Sequence, residues 1–184
     1  MSVLTVANQL TLLRVVLIPA FVILVIYGHL GWALIVFATA CLTDALDGLT
    51  ARWSDQKSTL GAWLDPMADK LLALSTFIVL TVPWLGLANP LPIWLTVLII
   101  SRDVVIVGTV AIVNLAIGPK TFRPSFFGKA ATATYMMTAV VAMFYNYLGY
   151  HSRVVDTFVY ASLAITLISS MHYIYHAARI IEGR

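Results

Sequence analysis

Charge is scarce in this chain. Its 184 residues include 8 acidic and 11 basic side chains, 10% of the total, where a soluble domain carries roughly a quarter. An ordinary water-facing surface is thereby excluded. Cysteine is scarcer still: Cys41 stands alone, so neither an intramolecular disulfide nor a cysteine-ligated zinc site is available. Its simplest role is that of a small apolar residue packed in a helix. The first eight residues contain no Lys or Arg, and no small-residue cleavage site follows the apolar run from Val15 to Tyr27. A cleavable signal peptide is therefore not expected, and that run reads as a retained first span. Strand-like alternation, low-complexity tracts, internal repeats and a domain linker are all missing.

What the chain has is apolar length. It is 61% hydrophobic with a mean hydropathy of +0.94, the balance of an integral membrane protein. Spanning backbone must satisfy its own hydrogen bonds, so helices are expected throughout. At about 20 residues per crossing, the chain holds about six transmembrane helices. The apolar stretches are Leu10–His29, Trp32–Arg52, Leu60–Trp84, Leu91–Leu115, Phe126–Leu148 and Val154–Ile180. Short Gly-, Pro- or polar-rich turns separate them. The expected fold is all-α, a single domain over residues 1–184 with its helices in one bundle.

The basic residues suggest an orientation. Arg52 and Lys57 flank the second connection, and Lys120, Arg123 and Lys129 the fourth. Arg14 lies near the N-terminus, and Arg179 and Arg184 near the C-terminus. The first and third connections carry no Lys or Arg, and the fifth has only Arg153. By the positive-inside rule both termini face the cytoplasm. The net charge of +3 and pI near 9.1 thus read as topology signals, and no nucleic-acid partner is expected.

Against this background, four of the eight acidic residues recur at helical spacing: Asp44, Asp47, Asp65 and Asp69. An Asp at the centre of a spanning helix costs about 3 kcal/mol, so four unpaired ones would cost about 10 kcal/mol. Such a set is tolerated when it faces a wet cavity and holds cations. Oxygen-only ligands suit hard divalent ions such as Mg²⁺, Mn²⁺ or Ca²⁺. The 100° helical step places Asp44, Asp47, Gly48 and Ala51 on one face, and Gly61, Asp65 and Asp69 on another. The polar turn at 54–58 lets the two helices fold back as a hairpin, so both stripes can converge. Small residues at 48, 51 and 61 leave room for a ligand near the backbone, and Arg52 could clamp a phosphate through its planar fork. Pro66 is expected to bend or loosen its helix and so help to aim Asp65. The bland alternative makes the aspartates caps or ion-pair partners of Arg52, Lys57 and Lys70, but capping needs one acid per helix end rather than two spaced stripes.

From Asp44 to Asp69 the chain resembles, at every fixed position, the signature D-x2-D-G-x2-A-R-x8-G-x3-D-x3-D of the CDP-alcohol phosphatidyltransferases. The resemblance implies a six-helix fold, usually a homodimer, with a two-metal site (Mg²⁺ or Mn²⁺) open to the cytoplasm and the membrane interface. Such enzymes cleave the pyrophosphate of CDP-diacylglycerol, release CMP and pass the phosphatidyl group to an acceptor hydroxyl. Carried onto this sequence, Asp44, Asp47 and Asp65 are the principal metal ligands. Asp69 is the base that deprotonates the acceptor and a further contact to the second metal. Gly48, Ala51, Arg52 and Gly61 line the CDP pocket.

Other segments point to the branch of that family with glycerol-based acceptors. Asn8, Thr11 and Arg14, three apart, share a face and would roof the nucleotide site, or else form an interfacial entry to the first span. Arg102 and Asp103 sit inside the fourth stretch. Adjacent helical residues diverge by about 100°, which favours separate partners and would leave Arg102 for the acceptor cavity. A purely structural neighbouring pair is the alternative. Arg123 and Lys129 could bind an acceptor phosphate or meet anionic headgroups. His172 and His176 are expected to be packed or interfacial rather than metal ligands. The branch includes phosphatidylglycerophosphate synthases, which act on glycerol 3-phosphate, and CMP-forming cardiolipin synthases, which act on phosphatidylglycerol. Glycerol 3-phosphate is the expected acceptor. Phosphatidylglycerol is the alternative, because Arg102-Asp103 stands where the former enzymes resemble one another in Arg-Glu. A rival from another class is a small cation transporter, but transport predicts acids spread along a path and repeat symmetry, neither of which is visible.

Overall fold

The computed structural model describes the backbone of residues 6–53, 59–117 and 126–181, with side chains at 9, 11–43, 67–109, 115 and 126–175. Six α-helices follow in chain order: α1 (Val6–Ile26), α2 (Leu30–Trp53), α3 (Thr59–Thr81), α4 (Ile93–Ile117), α5 (Phe126–Leu148) and α6 (Arg153–Ile181). Among the described residues there is no strand. The all-helical expectation holds, and the six apolar stretches coincide with the six helices to within a few residues. At 1.5 Å per residue the shortest of them, 21 residues, is about 31 Å long. Within the described residues one segment, Arg153–Tyr175, is both long and apolar enough to cross a membrane, while Thr11–Ile26 and Leu30–Thr43 are shorter apolar runs.

The helix ends follow from local chemistry. After α1, Gly28 takes a left-handed φ of +75°, which a side chain would disfavour. Its N–H donates to Val25 O at 3.0 Å and that of His29 to Leu24 O at 2.8 Å. This paired C-terminal closure satisfies carbonyls that the helix would otherwise leave open. Pro83 stops α3 earlier than hydropathy suggests. Its ring cannot continue the ladder, and Pro83–Leu85 forms a single 3-10 turn instead. Pro66 does not break α3, whose helical run is continuous through it.

The helices cluster into two compact units. One comprises α1, α2, α3 and the chain to Pro90, with residues 142–151; the other comprises 91–141 and 152–184. In the first, α1 packs on both α2 and α3. The seam is read from spacing: Ala33, Phe37, Ala40 and Thr43 on α2, and Ala68, Leu72, Thr76 and Leu80 on α3, are all buried. Phe21 of α1 meets Phe37 with ring centroids 5.5 Å apart. Gly31 lets α2 approach the end of α5, because a Cβ there would lie 2.9 Å from Tyr147 Cε2. The chain between α3 and α4 is clipped to the same helix. Asn89 N–H donates to Asn146 Oδ1 at 2.6 Å, Asn146 Nδ2 donates to Asn89 O at 3.2 Å, and Asn89 Nδ2 donates to Tyr150 O at 2.9 Å.

Hydroxyl-bearing side chains share the interior with apolar ones such as Phe21, Phe37, Leu72 and Leu80, and many aliphatics lie outside. Large apolar side chains such as Val16, Ile23, Ile35, Val97, Val104, Ile168 and Ile174 are exposed, while Thr11, Arg14, Thr76, Thr138, Ser162, Thr166 and Ser169 are buried. Hydroxyl-bearing residues inside, with many aliphatics exposed, fit helices that associate in lipid.

Candidate active site

α2 and α3 are the two helices that carry the aspartates, and their register sets the depth of each one. Asp47 lies six residues before the end of α2 at Trp53, and Asp65 six residues after the start of α3 at Thr59. Measured along its own helix, each is about 9 Å from the intervening turn. Asp44 and Asp69 are nine and ten residues from the same ends, about 14 and 15 Å. The four positions therefore fall in two matched layers. The helical backbone at these positions is described, but the side chains of Asp44, Asp47, Gly48, Ala51, Arg52, Gly61 and Asp65 lie outside the described residues, as does that of Asn8. Among the described residues no set of three acidic, histidine or cysteine side chains is assembled. Of the four aspartates, only the Asp69 side chain is described.

That side chain has a partner 55 residues away in sequence. Arg14 of α1 donates from Nη1 to Asp69 Oδ1, forming an ion pair in which Arg14 is 1% exposed and Asp69 39%. A guanidinium taken out of solvent is costly unless paired, so the contact ties α1 to α3 at the level of Asp69. The carboxylate nevertheless keeps solvent access, as a group that must reach a substrate requires. One turn before Arg14, Thr11 is also buried, at 1% exposure. The sequence placed Arg14 on a face with Thr11 but did not reveal Asp69 as its partner. The available signal was the cost of an arginine inside an apolar helix, which demands a carboxylate somewhere. The donor set suits hard cations, and the arrangement around Asp69 accommodates positive charge.

The remaining candidates differ in placement. Arg123 lies outside the described residues, and Lys129 is exposed on the first turn of α5. Arg102 is nearly buried, its side chain 9% exposed. Its Nη1 donates to Asp103 Oδ1 at 3.0 Å and its Nη2 to Ser169 Oγ on α6 at 2.9 Å. The expectation that the two neighbours would take separate partners is thus corrected: the long arginine stem spans the 100° between them, and a second bond reaches α6. His172 is exposed, and its ring lies tilted against Phe127 with centroids 5.0 Å apart. The His176 side chain lies outside the described residues.

Residues 4–170 match the model of the CDP-alcohol phosphatidyltransferase family. The chain belongs to that family. Among curated relatives it is 34% identical over 186 residues to a probable phosphatidylglycerophosphate synthase of Mycobacterium tuberculosis, covering 96% of this chain and 83% of the relative. It is 32% identical over 200 residues to the CMP-forming cardiolipin synthase of Rattus norvegicus, covering 98% of this chain and 65% of the relative. A CMP-forming cardiolipin synthase of Streptomyces coelicolor is 38% identical over 140 residues, 73% of this chain and 62% of that protein. The chain is therefore an enzyme, a CDP-alcohol phosphatidyltransferase of phospholipid synthesis.

Proposed function

We propose that this CDP-alcohol phosphatidyltransferase transfers the phosphatidyl group of CDP-diacylglycerol to the primary hydroxyl of glycerol 3-phosphate, releasing CMP. The observation that carries the reading is Asp69, on α3 with Asp65, held by the buried Arg14 of α1. Asp44, Asp47 and Asp65, with a contribution from Asp69, would hold two divalent ions (Mg²⁺ or Mn²⁺), which when bound draw charge from the pyrophosphate and ease departure of CMP. Asp69 takes the proton of the acceptor hydroxyl, with Arg14 fixing its orientation. Gly48, Ala51 and Gly61 leave space for the CDP moiety, Arg52 contributes a planar donor fork to a phosphate, and Asn8 and Thr11 belong to the segment that covers the nucleotide. Arg102, Arg123 and Lys129 are the cations available to an acceptor phosphate.

The larger covered share of the mycobacterial relative, 83% against 65% of the rat cardiolipin synthase, supports glycerol 3-phosphate. Arg102-Asp103 supports phosphatidylglycerol as the second reading. Purified enzyme supplied with CDP-diacylglycerol, Mg²⁺ and each acceptor in turn decides between them: CMP release with formation of phosphatidylglycerophosphate is expected. Cardiolipin formed from phosphatidylglycerol alone would replace the first reading with the second.

The exposed aliphatic faces support a multi-pass protein; the family resemblance supports one domain per chain, a homodimer and a bacterial inner membrane. The distribution of Lys and Arg supports cytoplasmic termini and an active site on that side. In sealed vesicles of known orientation, a cysteine at Ser58 is expected to react with an impermeant maleimide only from the cytoplasmic face, and one at Ser152 only from the opposite face. The reverse pattern would place the site on the wrong side of the membrane.

A further inference from the structure

Inside the second unit, buried hydroxyls form a row that ends in a cation. On α6, Ser162, Thr166 and Ser169 follow one another at spacings of four and three, none more than 1% exposed. Thr138 Oγ1 of α5 lies 2.7 Å from Ser162 Oγ, and Tyr135 OH lies 2.6 Å from Thr166 Oγ1. The third rung is different. There the partner of Ser169 is the guanidinium of Arg102.

The first two rungs are closed: hydroxyl meets hydroxyl, and Thr138 also donates to Thr134 O at 2.8 Å. Such pairs hold helices together without charge. A third neutral pair would have completed the row, yet an arginine stands there. Its Nη1 and Nη2 are occupied by Asp103 and Ser169, while its Nε, buried with the side chain, has no hydrogen-bond partner among the described residues. A buried charged donor without an acceptor is a cost that packing alone does not explain. Asp103, at 35% exposure, is much more solvated than Arg102 at 9%, so its charge is screened more than that of the arginine. Two ends of the fork are thus fixed by the protein, and the third position is left for an oxyanion.

We infer that Ser169 is a positioning residue for acceptor recognition: it fixes the plane of Arg102 so that Nε–H is presented to a phosphate oxygen of the acceptor. The inference rests on the proposed reading of Arg102 as an acceptor-phosphate residue and adds the group that aims it. Ser169 touches no reacting atom. It acts through the guanidinium, and its contribution belongs to acceptor binding rather than to the chemical step.

The test uses the full-length enzyme with Mg²⁺, varying glycerol 3-phosphate at saturating CDP-diacylglycerol and then the reverse, with inorganic phosphate as a competing probe. Ser169→Ala is expected to raise KM for glycerol 3-phosphate, and the inhibition constant of phosphate, by about tenfold, the loss of one charge-assisted bond. Its kcat and its KM for CDP-diacylglycerol should stay within about twofold, and Ser169→Thr, which keeps the hydroxyl, should restore the acceptor KM. Arg102→Lys should raise the same two constants at least as far, because an ammonium cannot reproduce the planar fork. If Arg102→Lys raises them and Ser169→Ala does not, the positioning role is overturned while the reading of Arg102 stands. If neither variant moves them, both are overturned. Equal losses toward both substrates, with a lowered melting temperature, would make the row simple helix packing and overturn the inference. Wild-type turnover in the same series identifies the acceptor independently. Should phosphatidylglycerol be the one used, the KM comparison is made on that lipid.

Discussion

Asp65→Asn, Asp44→Asn and Asp47→Asn are each expected to leave almost no phosphatidyl transfer. The amide preserves volume but removes the negative charge that holds a hard divalent ion. Losing one of the two cations these residues would hold would forfeit about 4 kcal/mol of transition-state stabilisation, about a thousandfold in rate. The losses should not multiply when two of the three are combined, because one site is being dismantled. Wild-type turnover should likewise vanish in excess chelator and return with Mg²⁺ or Mn²⁺. CMP release at the wild-type rate by any of these variants, or in chelator, would remove the carboxylate set from the mechanism.

Asp69→Asn is expected to act on a different step. An amide cannot accept the hydroxyl proton, and removing a positioned base lowers the rate by roughly a hundred- to ten-thousandfold. Binding of CDP-diacylglycerol should be largely retained, whereas Asp65→Asn should weaken metal-dependent binding itself. The buried ion pair makes a further demand. Arg14 meets Asp69 from another helix with 1% exposure, so Arg14→Met should slow transfer about tenfold through a misplaced carboxylate. In the double variant Arg14→Met/Asp69→Asn the rate should be no lower than with Asp69→Asn alone. Multiplying losses would mean that Arg14 acts elsewhere. Recovery of Asp69→Asn at high metal concentration would make Asp69 chiefly a ligand, with the proton leaving by another route.

How much of this could be read from the chain depended on the range of the interaction. Helix positions were legible because spanning segments must be apolar and their turns contain Gly, Pro or polar residues. Phe126–Leu148 was read from hydropathy and is the observed α5. The end of α3 was placed late because hydropathy continues past Thr81, whereas backbone geometry stops at Pro83. The aspartate register was also legible, since it depends only on helical periodicity within α2 and α3. Partners across 50 or more residues were not. Nothing in local spacing links Arg14 with Asp69, or Arg102 with Ser169. Those bonds depend on which helices pack together, and a hydroxyl on an apolar helix gives no sign of being opposite a cation. The cost of intramembrane charge did indicate that each arginine needed a partner, but not which one.

The central claim is that the carboxylates of α2 and α3 form one divalent-metal site. It is tested most directly by titrating Mn²⁺ into the purified enzyme and counting bound ions from the loss of the free-ion electron paramagnetic resonance signal. The account predicts about two ions per chain, with at least one lost in Asp44→Asn and in Asp65→Asn. Absence of bound Mn²⁺ from wild-type enzyme that still releases CMP in chelator would contradict it.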